Sequence, residues 1–121
     1  MNREELEKRT LEFSKNLIKA LQKLPKNPIN YELSGQAIAS GSSIGANYCE
    51  ATASESPRDF KHKINISFKE AKETRFWLEN LITANPDSIN DLLPLQQEAD
   101  ELMKIFGKSV TTCRKNESKN T

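Results

Sequence analysis

From Leu33 to Cys49 the chain carries no Asp, Glu, Lys or Arg, although charged residues make up 29% of its 121 positions. The segment, LSGQAIASGSSIGANYC, is small rather than greasy. A helix that faces water along one side normally carries charge there. This stretch is therefore expected to lose most of its surface to other helices. Other absences narrow the class further. Only two cysteines occur, Cys49 and Cys113, with no CxxC or Cys/His spacing. That excludes a disulfide scaffold and the usual zinc arrangements, and each thiol is read as a reduced, packed residue. No apolar run approaches the roughly 18 residues of a membrane span. The opening MNREELEKRT has no apolar centre and does not read as a signal peptide. A soluble cytoplasmic protein is the expectation. Net charge is only +1, so the basic excess of a dedicated nucleic-acid binder is missing.

What is present is helical periodicity. The chain is expected to form one domain, cut into four segments by prolines and polar turns, with no alternating strand pattern. The segments run roughly 3–24, 31–55, 58–84 and 89–114, and the polar tail 115–121 is expected to fray. Ser56 can cap the third segment, with Pro57 in its first turn. Pro94 marks a candidate true start for the fourth long helix, after a short turn at Ser88–Leu93. At about 100° per residue each segment shows one apolar stripe. These are Leu6, Phe13, Leu17, Leu21 and Leu24; Leu33, Ala37, Ile44, Tyr48 and Ala51; Phe60, Ile64, Phe68, Ala71, Leu78 and Ile82; and Leu95, Ala99, Leu102, Phe106 and Cys113. Four stripes joined by short loops predict an all-α, antiparallel up-down-up-down four-helix bundle.

The second segment has another face. Opposite its core stripe lie Gly35, Ala39, Ser42, Ala46, Cys49 and Ala53, and the Gly41–Gly45 spacing is of the small-xxx-small type. Three of the four glycines fall in this helix. Each costs roughly 1 kcal/mol relative to alanine, so close packing is expected to offset them. Ile66 and Trp77 lie off the third segment's stripe, and Leu11 and Ile18 off the first. An aromatic and an aliphatic on one outer face suggest an interface. The expected oligomer surface is Gly35, Ala39, Ser42, Ala46, Cys49, Ile66 and Trp77.

Arg75 falls within the third apolar stripe. A buried guanidinium needs an acceptor, and Asn47 or Glu50 is the expected supplier; the alternative is that only its stem is buried and the head reaches water. Arg58, Lys61 and Lys63 form a weak basic cluster around His62, itself read as a surface residue. They are the candidate nucleic-acid contacts. The Lys69–Arg75 run of alternating charge reads as a solvated face. No nucleophile–base pair, metal-ligand spacing or phosphate loop stands out. GSSIG lies inside a helix with no strand before it. No catalytic residue, metal, cofactor or small-molecule substrate is expected.

Ser34–Ala51, SGQAIASGSSIGANYCEA, followed by Ser56–Leu81, SPRDFKHKINISFKEAKETRFWLENL, resembles the "four helix bundle protein" family, also called 23S rRNA-intervening-sequence proteins. The resemblance rests on Ser43-Ile44-Gly45-Ala46-Asn47 with Glu50, on Asp59-Phe60, and on Lys69-Glu70-Ala71 through Trp77-Leu78. It implies an antiparallel four-helix bundle assembled as a ring-like pentamer, of bacterial origin, and assigns no enzymatic activity; an enzyme or small-ligand bundle built around Arg75 and Glu50 is the remote alternative. The resemblance leaves two roles open: a non-catalytic scaffold or adaptor for another macromolecule, and an RNA- or ribonucleoprotein-associated accessory protein, similar to those of diversity-generating retroelements. The chain departs from the family pattern at Ala39 and Cys49, where arginine is frequent.

Overall fold

A computed structural model describes residues 1–119. Four helices account for nearly all of them: α1 (Arg3–Gln22), α2 (Pro28–Thr52), α3 (Pro57–Ala84) and α4 (Ile89–Lys119), with a 3₁₀ turn at Pro86–Ser88. No strand forms among the described residues.

Local chemistry sets the helix starts. Asn2, Asn27 and Ser56 each place a side-chain oxygen on the backbone N–H three residues on, which satisfies a donor that has no partner inside the helix. Pro28 and Pro57 then occupy the first turn, where a missing N–H costs nothing. Helix α2 therefore begins three residues before the expected 31, because Asn27-Pro28 is a cap followed by a first-turn proline. It ends at Thr52 rather than 55.

The fourth helix corrects the reading of Pro94 as its start. Pro94 lies inside α4 and cannot donate to the carbonyl four residues back. Leu92, fully buried two residues earlier, begins the core stripe that continues through Leu95, Ala99, Leu102, Phe106 and Val110. Burial of a leucine is worth about 2 kcal/mol, enough to offset one lost hydrogen bond of about 1 kcal/mol. The tail departs as well: α4 continues through Lys119, while residues 120–121 lie outside the described residues.

The core is made by the expected stripes. Leu17, Ala37, Ile44, Ala71, Leu78, Leu102 and Phe106 are wholly inaccessible, and Tyr48 meets Phe106 edge to face at 5.5 Å between ring centroids. Leu21, Leu33, Phe60, Phe68 and Ile82 pack around its margin. Helix α3 lies along both α2 and α4, and α1 closes the bundle against α2 and α4.

The α2–α3 seam is small and polar. Ser67 donates to the Ile44 carbonyl at 2.9 Å, and Thr74 meets Ser40 at 2.9 Å. Glu50 pairs with Lys63 further along. Position numbers thus fall on one helix as they rise on the other. Between α1 and α2 the glycines set the spacing. A Cβ on Gly45 would come within 2.8 Å of Thr10 Oγ1, and one on Gly41 would overlap the Leu17 side chain.

Candidate functional site

With α1 and α3 on its flanks, α2 turns one face outward. Gly35, Ala39, Ser42, Ala46 and Cys49 are all exposed in the single chain. The exposed Cys49 corrects its reading as a packed thiol, whereas Cys113 is half-buried; both are free. A Cβ on Gly35 would meet nothing within 4 Å. The three glycines of α2 therefore divide. Gly41 and Gly45 serve the chain's own α1, and only Gly35 belongs to the outward face.

This face continues into the groove between α1 and α2. At one end Glu4, Lys8 and Leu11 oppose Ser42, Ala46 and Cys49. Further along, Ile18 and Leu21 oppose Gly35 and Ile38 in a depression of about 750 Å³. Leu11 is 53% exposed and Ile18 41%. Tyr31, 82% exposed, stands at the same end. The sequence reading missed Tyr31 because helix α2 begins earlier than expected, which puts this residue within its first turns.

Ile66 and Trp77 sit at the border of α3 rather than on its outermost face. Both are half-buried, and Trp77 packs against the core margin. Its indole Nε1 donates to Glu73 at 3.1 Å, and its ring meets Phe76 edge to face at 5.1 Å. Phe76, 56% exposed, is the freer aromatic.

The expected Asn47–Glu50–Arg75 network does not form. Arg75 Nη1 donates to Asp100 Oδ1 at 2.7 Å, across the α3–α4 seam. Asn47 donates to the Ser43 carbonyl of its own helix. Glu50 pairs with Lys63 at 2.5 Å. Helix order explains the error: Glu50 lies level with Lys63, and Arg75 is twelve residues further along α3, or about 18 Å of helix. The guanidinium is half-exposed. Asp100 also pairs with Lys104, and the two cations hold its carboxyl below the usual aspartate range, Lys104 foremost. A second seam contact joins α1 to α4, where Arg9 grips Glu98 through two hydrogen bonds of 2.7 Å. The Glu98 hydrogen bond raises the already high Arg9 pKa.

The basic cluster is largely neutralised. Lys61 pairs with Glu117 at 2.6 Å and Lys63 with Glu50. Arg58 is exposed, and His62 is a surface residue as expected. Glu70, half-buried beside the α2 face, has no ion pair among the described residues. Burial, with a smaller contribution from Glu73, raises its pKa above the usual glutamate value. Among the described residues no group of three or more His, Cys, Asp or Glu is placed to hold a metal ion, and no helix is long and apolar enough to cross a membrane.

The pattern that defines the 23S rRNA-intervening sequence proteins matches residues 4–108, which takes in nearly all of α1, the whole of α2 and α3, and most of the buried stripe of α4. The chain belongs to the 23S rRNA-intervening sequence protein family. A solved relative is a protein of unknown function from the S23 ribosomal protein family of Bacteroides thetaiotaomicron. It is 30% identical, with a TM-score of 0.78, over 92% of this chain and 99% of that one. No curated protein matches the chain. Within the family pattern, the small outward face of α2 is the part of this molecule that its own core does not use.

Proposed function

We propose that this family member is a non-catalytic, homo-oligomeric scaffold or adaptor for another macromolecule, built as an antiparallel up-down-up-down bundle. The observation that carries the proposal is the exposed, uncharged face of α2: Gly35, Ala39, Ser42, Ala46 and Cys49 lie in the open without a single charge from Leu33 to Cys49. An exposed face that carries no charge and little bulk suits a second protein surface at close range. It offers nothing to phosphate. The pairing of Lys61 and Lys63 with carboxylates weighs against the RNA-associated reading at that cluster. Five subunits is the number that the family resemblance implies. Native mass spectrometry of the purified chain, with and without nuclease, tests the proposal. The expected spectrum is a discrete homo-oligomer that nuclease does not alter. A single subunit throughout overturns the reading. Mass that disappears on nuclease treatment moves the assignment to the RNA-associated role.

A further inference from the structure

Helices α1 and α3 flank the bare face of α2, and each presents a stripe toward it. On α1 the stripe is Lys8, Leu11, Lys15 and Ile18, spaced three and four residues apart, so that they share one side of the helix. Lys8 and Leu11 line the groove beside Ser42, Ala46 and Cys49, and Ile18 lines it beside Gly35 and Ile38. On α3 the stripe is Ile66, Glu70, Glu73 and Trp77, again spaced three and four apart. It runs next to Lys63, Ser67 and Thr74, which bond to α2. Each stripe holds two apolar residues and two charges of one sign, and the signs are opposite. Among the described residues Lys8, Lys15 and Glu70 make no ion pair, and Glu73 accepts only from Trp77. Glu4 and Glu7 also line the groove beside Ala46 and Cys49, and Glu32 lines its other end; Glu7 is engaged by Thr52 of α2.

We propose that the α1 stripe of one copy packs against the α3 stripe of a second copy. Lys8 and Lys15 then meet Glu70 and Glu73, and Leu11 and Ile18 cover Ile66 and Trp77. The α2 faces are enclosed between them. The proposal rests on the homo-oligomeric reading and names the surfaces that meet. A second copy is the occupant because the chain itself carries both halves of the match. Two stripes that differ can pair twice across a two-fold axis, with α2 on α2, or once head to tail, which closes a ring or propagates. A two-fold contact that laid α3 on α3 would set Glu70 and Glu73 against their like, at a cost in specificity and affinity. The acidic α3 stripe also repels phosphate, which disfavours a nucleic acid in this position.

The test uses the full chain in four forms: wild type, K8E/K15E, E70K/E73K and the variant with all four changes. Circular dichroism confirms that each is folded, and native mass spectrometry with light scattering reads assembly at micromolar concentration. Each single-edge variant is expected to raise the subunit dissociation constant at least tenfold. The four-change variant, whose charges match again in reverse, is expected to recover assembly. Should an edge variant fail to fold, K8Q/K15Q and E70Q/E73Q replace it with the same expected direction. A wild-type oligomer indifferent to both edges, or no recovery when all four charges are swapped, overturns the stripe pairing. A wild-type chain that never self-associates overturns the homo-oligomeric reading itself.

Discussion

Asn30 and Asn85, 55 positions apart, hold each other by two amide hydrogen bonds. Asn30 Nδ2 donates to Asn85 Oδ1 at 2.8 Å, and Asn85 Nδ2 donates to Asn30 Oδ1 at 2.7 Å. Each amide also reaches a backbone carbonyl: Asn30 that of Pro25, and Asn85 that of Leu81. The pair ties the start of α2 to the end of α3 and fills a buried polar site completely.

Removal of one member leaves the other buried without its partner, which costs about 1–3 kcal/mol. Asn85→Ala and Asn30→Ala should each lower the unfolding free energy read from urea denaturation by that much. The double variant should lose less than the sum, since the second change removes the orphaned amide. Strict additivity in the cycle would show that the two amides do not depend on each other.

The glycines of α2 should separate by position. Gly45→Ala drives a methyl into Thr10 and should destabilise by about 1–3 kcal/mol, as overpacking does. Gly35→Ala meets open space and should stabilise the single subunit by about 0.5–1 kcal/mol through helix propensity. Denaturant unfolding of both variants at high dilution checks the contrast; equal effects of the same sign would contradict it.

Glu70 should make the folded subunit less stable as pH rises. Its pKa is raised by burial and by Glu73, so the folded state holds the proton more tightly than the unfolded chain. Its unfavourable contribution is therefore absent below the unfolded value, grows as pH climbs toward the folded value, and is complete above it. Glu70→Gln should be more stable than wild type at pH 7 and indistinguishable near pH 3, measured at a dilution where subunits are separate. A gain of equal size at both pH values would place the effect in packing instead.

Asp100 should behave in the opposite sense. Lys104 and Arg75 hold its pKa down, so its contribution is present above the unfolded aspartate value and fades as pH falls through the lower, folded one. Arg75→Met should leave the neutral-pH midpoint little changed, because the pair is half-exposed and water screens it. It should also make stability less dependent on pH across the acid range, because Asp100 then titrates nearer its unfolded value. Titration of Asp100 by carbon-detected NMR reads the same change directly: its pKa should rise in the variant.

The apolar stripes were legible because burial and helical period write the same message: Ile44, Ala71, Leu78 and Phe106 fall at their expected places in the core. The outward face of α2 was legible for a complementary reason, since charge is missing where a wet helix would carry it. Helix register was not legible. Nothing in the sequence says that Arg75 comes level with Asp100 rather than Glu50, or that Lys61 finds Glu117. Those pairings depend on how far each helix slides against its neighbour, and that is fixed by seats such as Thr10 on Gly45. The three glycines of α2 look alike in sequence and serve two purposes. Pro94 misled because its local cost is plain, whereas the buried Leu92 that offsets it emerges only once the core is assembled.

Val110 is the last buried side chain of α4 among the described residues, and the family match stops two residues before it, at 108. The described turns from Thr111 to Glu117 thus extend α4 past the family match, and Glu117 pairs there with Lys61 of α3. Outward positions of this extension, such as Thr111, Thr112 and Lys115, can take new side chains or a grafted reporter without entering the packed interior.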